Sequence, residues 1–137
     1  MIQVLLDTNI ILDFALDRDP FIKEAEDILK LAFEKKFFAF ISATTITDIY
    51  YITRKQKGIA ETKSFLKSIL AFIEVAEVNK EIVTKALNSN LKDFEDAVQV
   101  ESAEYNRIDM IITRNIKDFR DVQTEIITPE KFMLKFK

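Results

Sequence analysis

Acidic and amide side chains recur where apolar segments of this chain end, and they are the groups best suited to chemistry. They stand in four short motifs, namely Asp7 in LLDTN, Asp48 in TTITDIYY, Asp93 and Asp96 in KDFEDAVQ, and Asn115 and Asp118 in TRNIKDF. Carboxylates gathered in one pocket repel each other and raise each other's pKa, and a bound divalent cation removes that penalty. Mg²⁺ or Mn²⁺ in such a cluster can activate water for attack on a phosphodiester.

Two residue types that usually carry chemistry are missing from the chain. It has no cysteine, which excludes disulfides, thiolate nucleophiles and cysteine-ligated zinc. It also has no histidine, the usual general base and the commonest metal ligand. Any catalysis therefore depends on carboxylates, hydroxyls, amides, lysine, arginine or a hard cation held by oxygen atoms.

Each acidic motif also has a purely structural interpretation. A polar residue at a helix N-cap and an acid three residues later stabilise the helix start, which fits Thr45 with Asp48, Asp93 with Asp96, and Asn115 with Asp118. Asp7 is placed to cap a helix in the same way. For one site alone capping is the simpler explanation, but capping gives no reason to gather four acidic groups at one edge of a sheet.

Apolar strands and amphipathic helices alternate along the whole chain. The patterns predict strands over 2–6, 37–41, 73–78, 108–113 and 125–128. They predict helices over 9–16, 19–36, 45–54, from a loop at Gly58 to 72, over 80–88 and 93–105, and from 129 onward. Strands that are apolar throughout predict a parallel sheet covered on both faces. Active sites of such sheets lie beyond the carboxyl ends of the strands, which is where most of the acids fall.

The composition is that of one soluble domain. Of the 137 residues 48% are hydrophobic and 31% charged, with one glycine and two prolines. No apolar run is long enough to cross a bilayer and no signal peptide is evident, so we expect a cytoplasmic protein.

The charge pattern allows two interpretations. The net charge of −3 weighs against a nucleic-acid partner. Between residues 54 and 67, however, one acidic residue, Glu61, is outnumbered by basic ones at Arg54, Lys55, Lys57, Lys63 and Lys67. This strip suits a phosphodiester substrate, although a solvated helix face is the simpler reading of the strip alone.

The ordered set of motifs resembles the PIN domain. LLDTNIIL, an acid in the helix after the second strand, DFEDAVQ and TRNIKDF follow one another across residues 4–119. The resemblance is greatest to the VapC-like bacterial branch that serves as the toxin of toxin–antitoxin pairs. It implies that residues 1–137 form a single PIN domain, a three-layer α/β/α sandwich with a central, mostly parallel sheet. It also implies a Mg²⁺- or Mn²⁺-dependent ribonuclease.

The resemblance also assigns roles to the site residues. Asp7 and Asp96 match acids that contact the metal directly. Asp48 stands where the family usually has glutamate and, being shorter, would act through an intervening water. The fourth acidic position is here Asn115, which brings no charge, so Asp118 one turn later would supply the carboxylate and join Asp7, Asp48 and Asp96 as a metal ligand.

Four further residues would support the site or the substrate. Asp93 would support the ligands from behind, while Thr8 and Thr113 would hydrogen-bond a carboxylate or a phosphate. Arg114 would touch the RNA backbone.

Partners and alternatives follow from the same motifs. The resemblance implies an RNA substrate, an antitoxin protein and a homodimer, with no membrane partner, and 12 phenylalanines make an apolar interface plausible beside core packing.

The alternatives are a housekeeping PIN nuclease, a degenerate PIN-fold binding module favoured by Asn115, and a phosphatase or receiver-type phosphoacceptor domain. A receiver domain should carry paired acids at its first strand and a lysine after a late one, whereas here Asp7 stands alone and Arg114 follows the strand.

Overall fold

A five-stranded parallel sheet forms the centre of the computed structural model, which describes residues 1–136. The strands are β1 Gln3–Leu6, β2 Phe38–Ser42, β3 Ile73–Ala76, β4 Met110–Ile112 and β5 Glu125–Ile127. Their order across the sheet is β3-β2-β1-β4-β5. In the central strand, Leu5 lies opposite Phe40 on one side and Ile111 on the other. The carboxyl ends of β2, β1 and β4 are therefore neighbours, and the motifs that follow them meet.

Seven helices cover the two faces of the sheet. They are α1 Thr8–Ala15, α2 Ile22–Phe33, α3 Ala43–Lys57, α4 Ile59–Ile69, α5 Lys80–Leu87, α6 Phe94–Tyr105 and α7 Pro129–Leu134. Side chains alternate between faces along each strand. Val4 and Leu6 pack into the larger core under α1 to α4 and α7, whereas Leu5 packs against α6. A short 3₁₀ turn, Ile116–Phe119, follows β4.

The three-layer α/β/α prediction is confirmed, and the sheet is wholly rather than mostly parallel. Every predicted element exists, but several are shorter than their apolar patterns. The helix predicted over 19–36 spans only Ile22–Phe33, because the chain turns after Glu34 and Lys35 adopts a left-handed φ of 59°. The strand predicted over 108–113 is reduced to Met110–Ile112. Among residues 1–136, no helix is both long and apolar enough to span a membrane.

Only one of the predicted helix caps has the predicted side-chain contact. Asp93 caps α6, its carboxylate accepting a hydrogen bond from the Asp96 amide at 2.9 Å. The cap of α3 is Ser42 rather than Thr45. Neither Asp7 nor Asn115 makes a side-chain cap hydrogen bond. The capping position is therefore wrong for Thr45, whereas Asp7 and Asn115 do stand at the N-caps of α1 and of the 3₁₀ turn without a side-chain cap bond. The side chains of Asp7 and Asn115 are left for other contacts.

Candidate active site

A cavity of about 240 Å³ opens beside the carboxyl ends of β1 and β4. We call it the acid cavity, because most of its lining is acidic: Asp7, Asn9, Asp93, Glu95, Asp96, Asn115, Asp118 and Phe119. The β1–α1 junction, the start of α6 and the segment after β4 each contribute side chains. Parallel strands bring these segments together, because their carboxyl ends lie at one edge of the sheet.

Asp7 is the most firmly held of the cavity's carboxylates. Its side chain is buried, and Gln99 Nε2 donates to its Oδ1 at 3.0 Å. The Thr113 hydroxyl donates to its Oδ2 at 2.7 Å, and the same hydroxyl accepts from the Asn115 amide at 3.1 Å. Two neutral donors on two oxygens fix the orientation of the carboxylate. The Asp7 carboxylate is thus held in one orientation at the cavity, as a metal ligand needs to be.

Thr113→Val should lower metal affinity or activity by about 10- to 100-fold, the usual cost of losing a partner that orients a metal ligand. Valine has nearly the shape of threonine but cannot donate to Asp7 Oδ2. Thr113→Ser keeps the hydroxyl and should retain most activity. Calorimetric Mn²⁺ titration together with RNA cleavage rates measures both effects. Equal losses in the two variants would show that packing, rather than the hydrogen bond, is responsible.

Hydroxyl groups connect the ends of β1 and β2. The hydroxyls of Thr8 and Thr45 lie 2.9 Å apart, and Thr45 also contacts Ser42 at 3.1 Å. All three side chains are buried. The network ties the start of α1 to the start of α3, the helix that carries Asp48.

Glu95 and Asp48 form a carboxyl pair at one side of the site. Burial raises the pKa of Glu95 to about 8, and a hydrogen bond to Asp48, the charge of Asp48 and the charge of Asp7 act in the same direction. A hydrogen bond to Thr8 opposes them. Without a cation, Glu95 therefore carries a proton at neutral pH. Glu95 lines the acid cavity. Asp48 does not line it and is connected to the site by its hydrogen bond with Glu95.

Asp96 experiences the same excess of negative charge. Burial raises its pKa to about 7, and the charges of Asp7, Asp93 and Asp118 add to the effect. Three aspartates are thus near enough to Asp96 to oppose its ionisation. A positive charge in the cavity would relieve this repulsion.

The metal-free protein should lose stability as the pH rises from about 4 to 8. Because the pKa values of Glu95 and Asp96 are raised by folding, the folded chain keeps protons that the unfolded chain has already released in this window. The free energy of unfolding then falls with increasing pH, and we expect Tm in EDTA to drop by several degrees. Thermal melting at pH 5, 6, 7 and 8 tests this.

The double variant Glu95→Gln, Asp96→Asn should flatten this dependence, while Asp27→Asn, at an exposed helical pair with Lys23, should preserve it. Saturating Mg²⁺ should stabilise the wild type more at pH 8 than at pH 5. A melting temperature that is the same from pH 5 to pH 8 would contradict the raised pKa values.

The donors around the acid cavity fit a hard divalent cation. All are carboxylate or amide oxygens, the ligands preferred by Mg²⁺ and Mn²⁺. Within residues 1–136 no group of three or more acidic side chains is placed to hold an ion jointly. Mg²⁺ and Mn²⁺ need only one or two direct carboxylates and keep water in their other positions, and Asp7 and Asp96, which line the cavity, are the candidates for that role.

Arg114 is engaged within the protein. Its Nε and Nη2 atoms donate to the two carboxylate oxygens of Asp13 at 2.8 and 3.1 Å, and its guanidinium lies 3.8 Å from the centre of the Phe21 ring. Arg18 approaches the same carboxylate at 3.6 Å and donates to Asn9 at 3.3 Å. These contacts join α1 to the segment that carries Thr113 and Asn115, so they position the site.

The sequence candidates divide into two groups. Those that line the acid cavity are Asp7, Asp93, Asp96, Asn115 and Asp118. Those that lie behind the cavity are Thr8, Asp48, Thr113 and Arg114.

Sequence reasoning missed four polar residues in or behind the site, namely Asn9, Glu95, Gln99 and Asp13. Glu95 stands inside the quoted DFEDAVQ motif, but an acid in the first turn of a helix is ordinary. Gln99 carries no charge to attract notice. Asp13 was the missed residue that the sequence indicated best, since a carboxylate within the apolar run ILDFA is expected to be buried and to need a partner.

Comparison with known families supports what this geometry suggests. A family model described as PIN domain matches residues 3–117. The chain belongs to the PIN domain family. The motif-based resemblance is thereby confirmed, and the phosphatase and receiver-domain alternatives are removed.

Known relatives of this PIN domain agree with the family match. It is 30% identical over 135 residues to ribonuclease VapC1 of Aquifex aeolicus strain VF5, covering 95% of this chain and 92% of the relative. A toxin–antitoxin complex from Klebsiella pneumoniae has a similar chain, with 24% identity, a TM-score of 0.69 and coverage of 92% of this chain and 97% of that one. VapBC2 from Rickettsia felis, bound to a DNA fragment from its promoter, follows with 20% identity, a TM-score of 0.67 and coverage of 93% and 97%. At these identities the two structures show the shared fold.

Proposed function

We propose that this PIN domain, comprising residues 1–137, is a Mg²⁺- or Mn²⁺-dependent ribonuclease and the toxin of a toxin–antitoxin pair. The observation that carries the activity is the acid cavity, where Asp7, Asp96 and Asp118 surround a space shared with the Asn115 amide. The similarity to a ribonuclease named VapC1 supports RNA as the substrate class.

The chain's own residues divide the work of hydrolysis. A divalent cation in the cavity would activate water and neutralise charge on the phosphoryl oxygens. Asp7, which is fixed by Gln99 and Thr113, and Asp96 would hold such a cation at the strand ends. Asn115 and Asp118, which are exposed at the cavity, orient water or substrate.

The metal dependence is tested by incubating the purified protein with total RNA in Mg²⁺, in Mn²⁺ and in EDTA. We expect cleavage in both metals and none in EDTA, with activity restored when excess metal is returned. Equal cleavage in EDTA would exclude a metal-dependent reaction. Intact RNA in every sample, together with no Mn²⁺ binding by calorimetry, would favour the degenerate binding module instead.

The toxin role rests on the relatives rather than on the site. Structurally similar chains occur in a toxin–antitoxin complex and in a DNA-bound VapBC complex from Salmonella typhimurium. An antitoxin partner, a homodimer and a cytoplasmic location belong to the same proposal.

A toxin gene should lie beside a small reading frame encoding the antitoxin. Induced expression of the chain alone should arrest growth, co-expression of that neighbour should restore it, and the two proteins should co-purify. Normal growth with an active enzyme would favour the housekeeping nuclease.

A further inference from the structure

A second cavity, of about 490 Å³, opens beside the acid cavity and contains three basic side chains. Lys92 enters it from the segment before α6, and Lys117 and Arg120 enter from the 3₁₀ turn and the residue after it. Asp93 and Asp118 line both cavities, so the two are direct neighbours. We call this second space the basic cavity.

The three cations of the basic cavity are available to a ligand. All are exposed, and within residues 1–136 none of them forms an ion pair, although Asp93, Asp118 and Asp121 also line the cavity. By contrast, Arg18 and Arg114 elsewhere near the site are paired with Asp13. Unpaired cations beside an acidic site suit a second anionic group of the same substrate.

The carboxylates of the acid cavity repel every phosphate of an entering RNA strand except the phosphate that faces the cation. Cations one nucleotide away offset that repulsion and fix the direction of the strand. A cavity of this volume lies in the range of pockets that enclose small ligands. It can therefore receive one nucleotide rather than only touch a phosphate in passing.

We propose that the basic cavity binds the nucleotide next to the scissile phosphate of a single-stranded RNA, with Lys92, Lys117 and Arg120 contacting its phosphate. This inference rests on the proposed ribonuclease function and extends it to the substrate subsite. The cavity thus sets the register of the strand on the acid cavity.

The experiment measures RNA binding as a function of salt. A fluorescent single-stranded RNA is titrated with the Asp7→Asn protein, which removes cleavage, by anisotropy between 50 and 300 mM KCl. The test variant adds Lys92→Gln, Lys117→Gln and Arg120→Gln. The three side chains neutralise one phosphate in the proposed complex, so their removal should reduce the slope of log K against log salt by about 0.7.

A charge-matched control uses Lys30→Gln, Lys35→Gln and Lys36→Gln at the opposite edge of the sheet, all exposed. We expect its salt slope to equal that of the parent. An unchanged slope in the test variant, or an equal reduction in both variants, would overturn the proposal. Single substitutions, each lowering the slope by part of the roughly 0.7 expected for the whole phosphate contact, serve if the triple variant does not fold.

Two further measurements separate the possible causes of failure. With an otherwise wild-type chain, the three substitutions should raise KM for a short RNA and leave kcat nearly unchanged. If the wild type cleaves RNA and the three substitutions change neither KM nor the salt slope, the subsite proposal alone is wrong. If the substitutions reduce the salt slope but the wild type does not cleave RNA, the nuclease proposal alone is wrong. Displacement of the RNA by micromolar inorganic phosphate or adenosine 5′-monophosphate would identify a small-anion site and contradict a strand subsite.

Discussion

Asp7→Asn should abolish metal-dependent RNA cleavage, lowering its rate on the order of 10³-fold or more. Loss of a partner that merely orients a ligand costs about 10- to 100-fold, and Asp7 is itself the proposed ligand. The substitution removes one charge and little volume. Gln99 Oε1 is buried and has no hydrogen-bond partner among residues 1–136, so rotation of the Gln99 amide can satisfy the new side chain. The measurement is cleavage of a labelled RNA under single-turnover conditions.

Fold and purity are controlled by two comparisons. Asp27→Asn, on the exposed face of α2, removes the same charge and should cleave like the wild type. The charge of Asp7 helps to raise the pKa values of Glu95 and Asp96, so Asp7→Asn should melt no lower than the wild type in EDTA. Cleavage within tenfold of the wild-type rate would mean that the acid cavity is not the reaction centre.

The sequence predicted the layers and the cavity because both depend on local patterns. Apolar segments such as those around Leu5 and Ile111 are buried on both sides, which only a covered parallel sheet provides. Parallel strands then bring their carboxyl ends together. Asp7 and Asn115 could therefore be placed near each other from their positions after strands alone.

The contacts behind the cavity could not be predicted because they join residues distant in sequence. Gln99 reaches Asp7 across 92 positions, and Arg114 reaches Asp13 across 101. No local spacing reports such pairs. The resemblance implies an RNA-backbone contact for Arg114, whereas its guanidinium donates to the buried carboxylate of Asp13. The helix ends were missed for a related reason, since Lys35 leaves the helical region without a glycine or proline.

Arg114→Met should destabilise the protein by about 3 kcal/mol, the lower end of the cost of leaving a buried charge unpaired. Asp13 is only 1% exposed and both of its oxygens accept from Arg114. Arg18 at 3.6 Å retains part of the compensation, which is why the lower value is expected. For a domain of this size Tm should fall by roughly 10 °C. Methionine keeps packing against Phe21, so the loss reports charge rather than volume.

A double-mutant cycle isolates the pair. Asp13→Asn with Arg114→Met should cost less than the sum of the single variants, because no buried charge is then left uncompensated. Arg18→Met, which removes the longer contact to Asp13 and the hydrogen bond to Asn9 from a more exposed arginine, should cost under about 1 kcal/mol. If Arg114 instead contacts RNA, Arg114→Met should melt like the wild type and lower the salt slope of RNA binding by about 0.7. The melting temperature and the salt slope of RNA binding, measured on the same variants, therefore decide whether Arg114 packs α1 against the site or contacts the substrate.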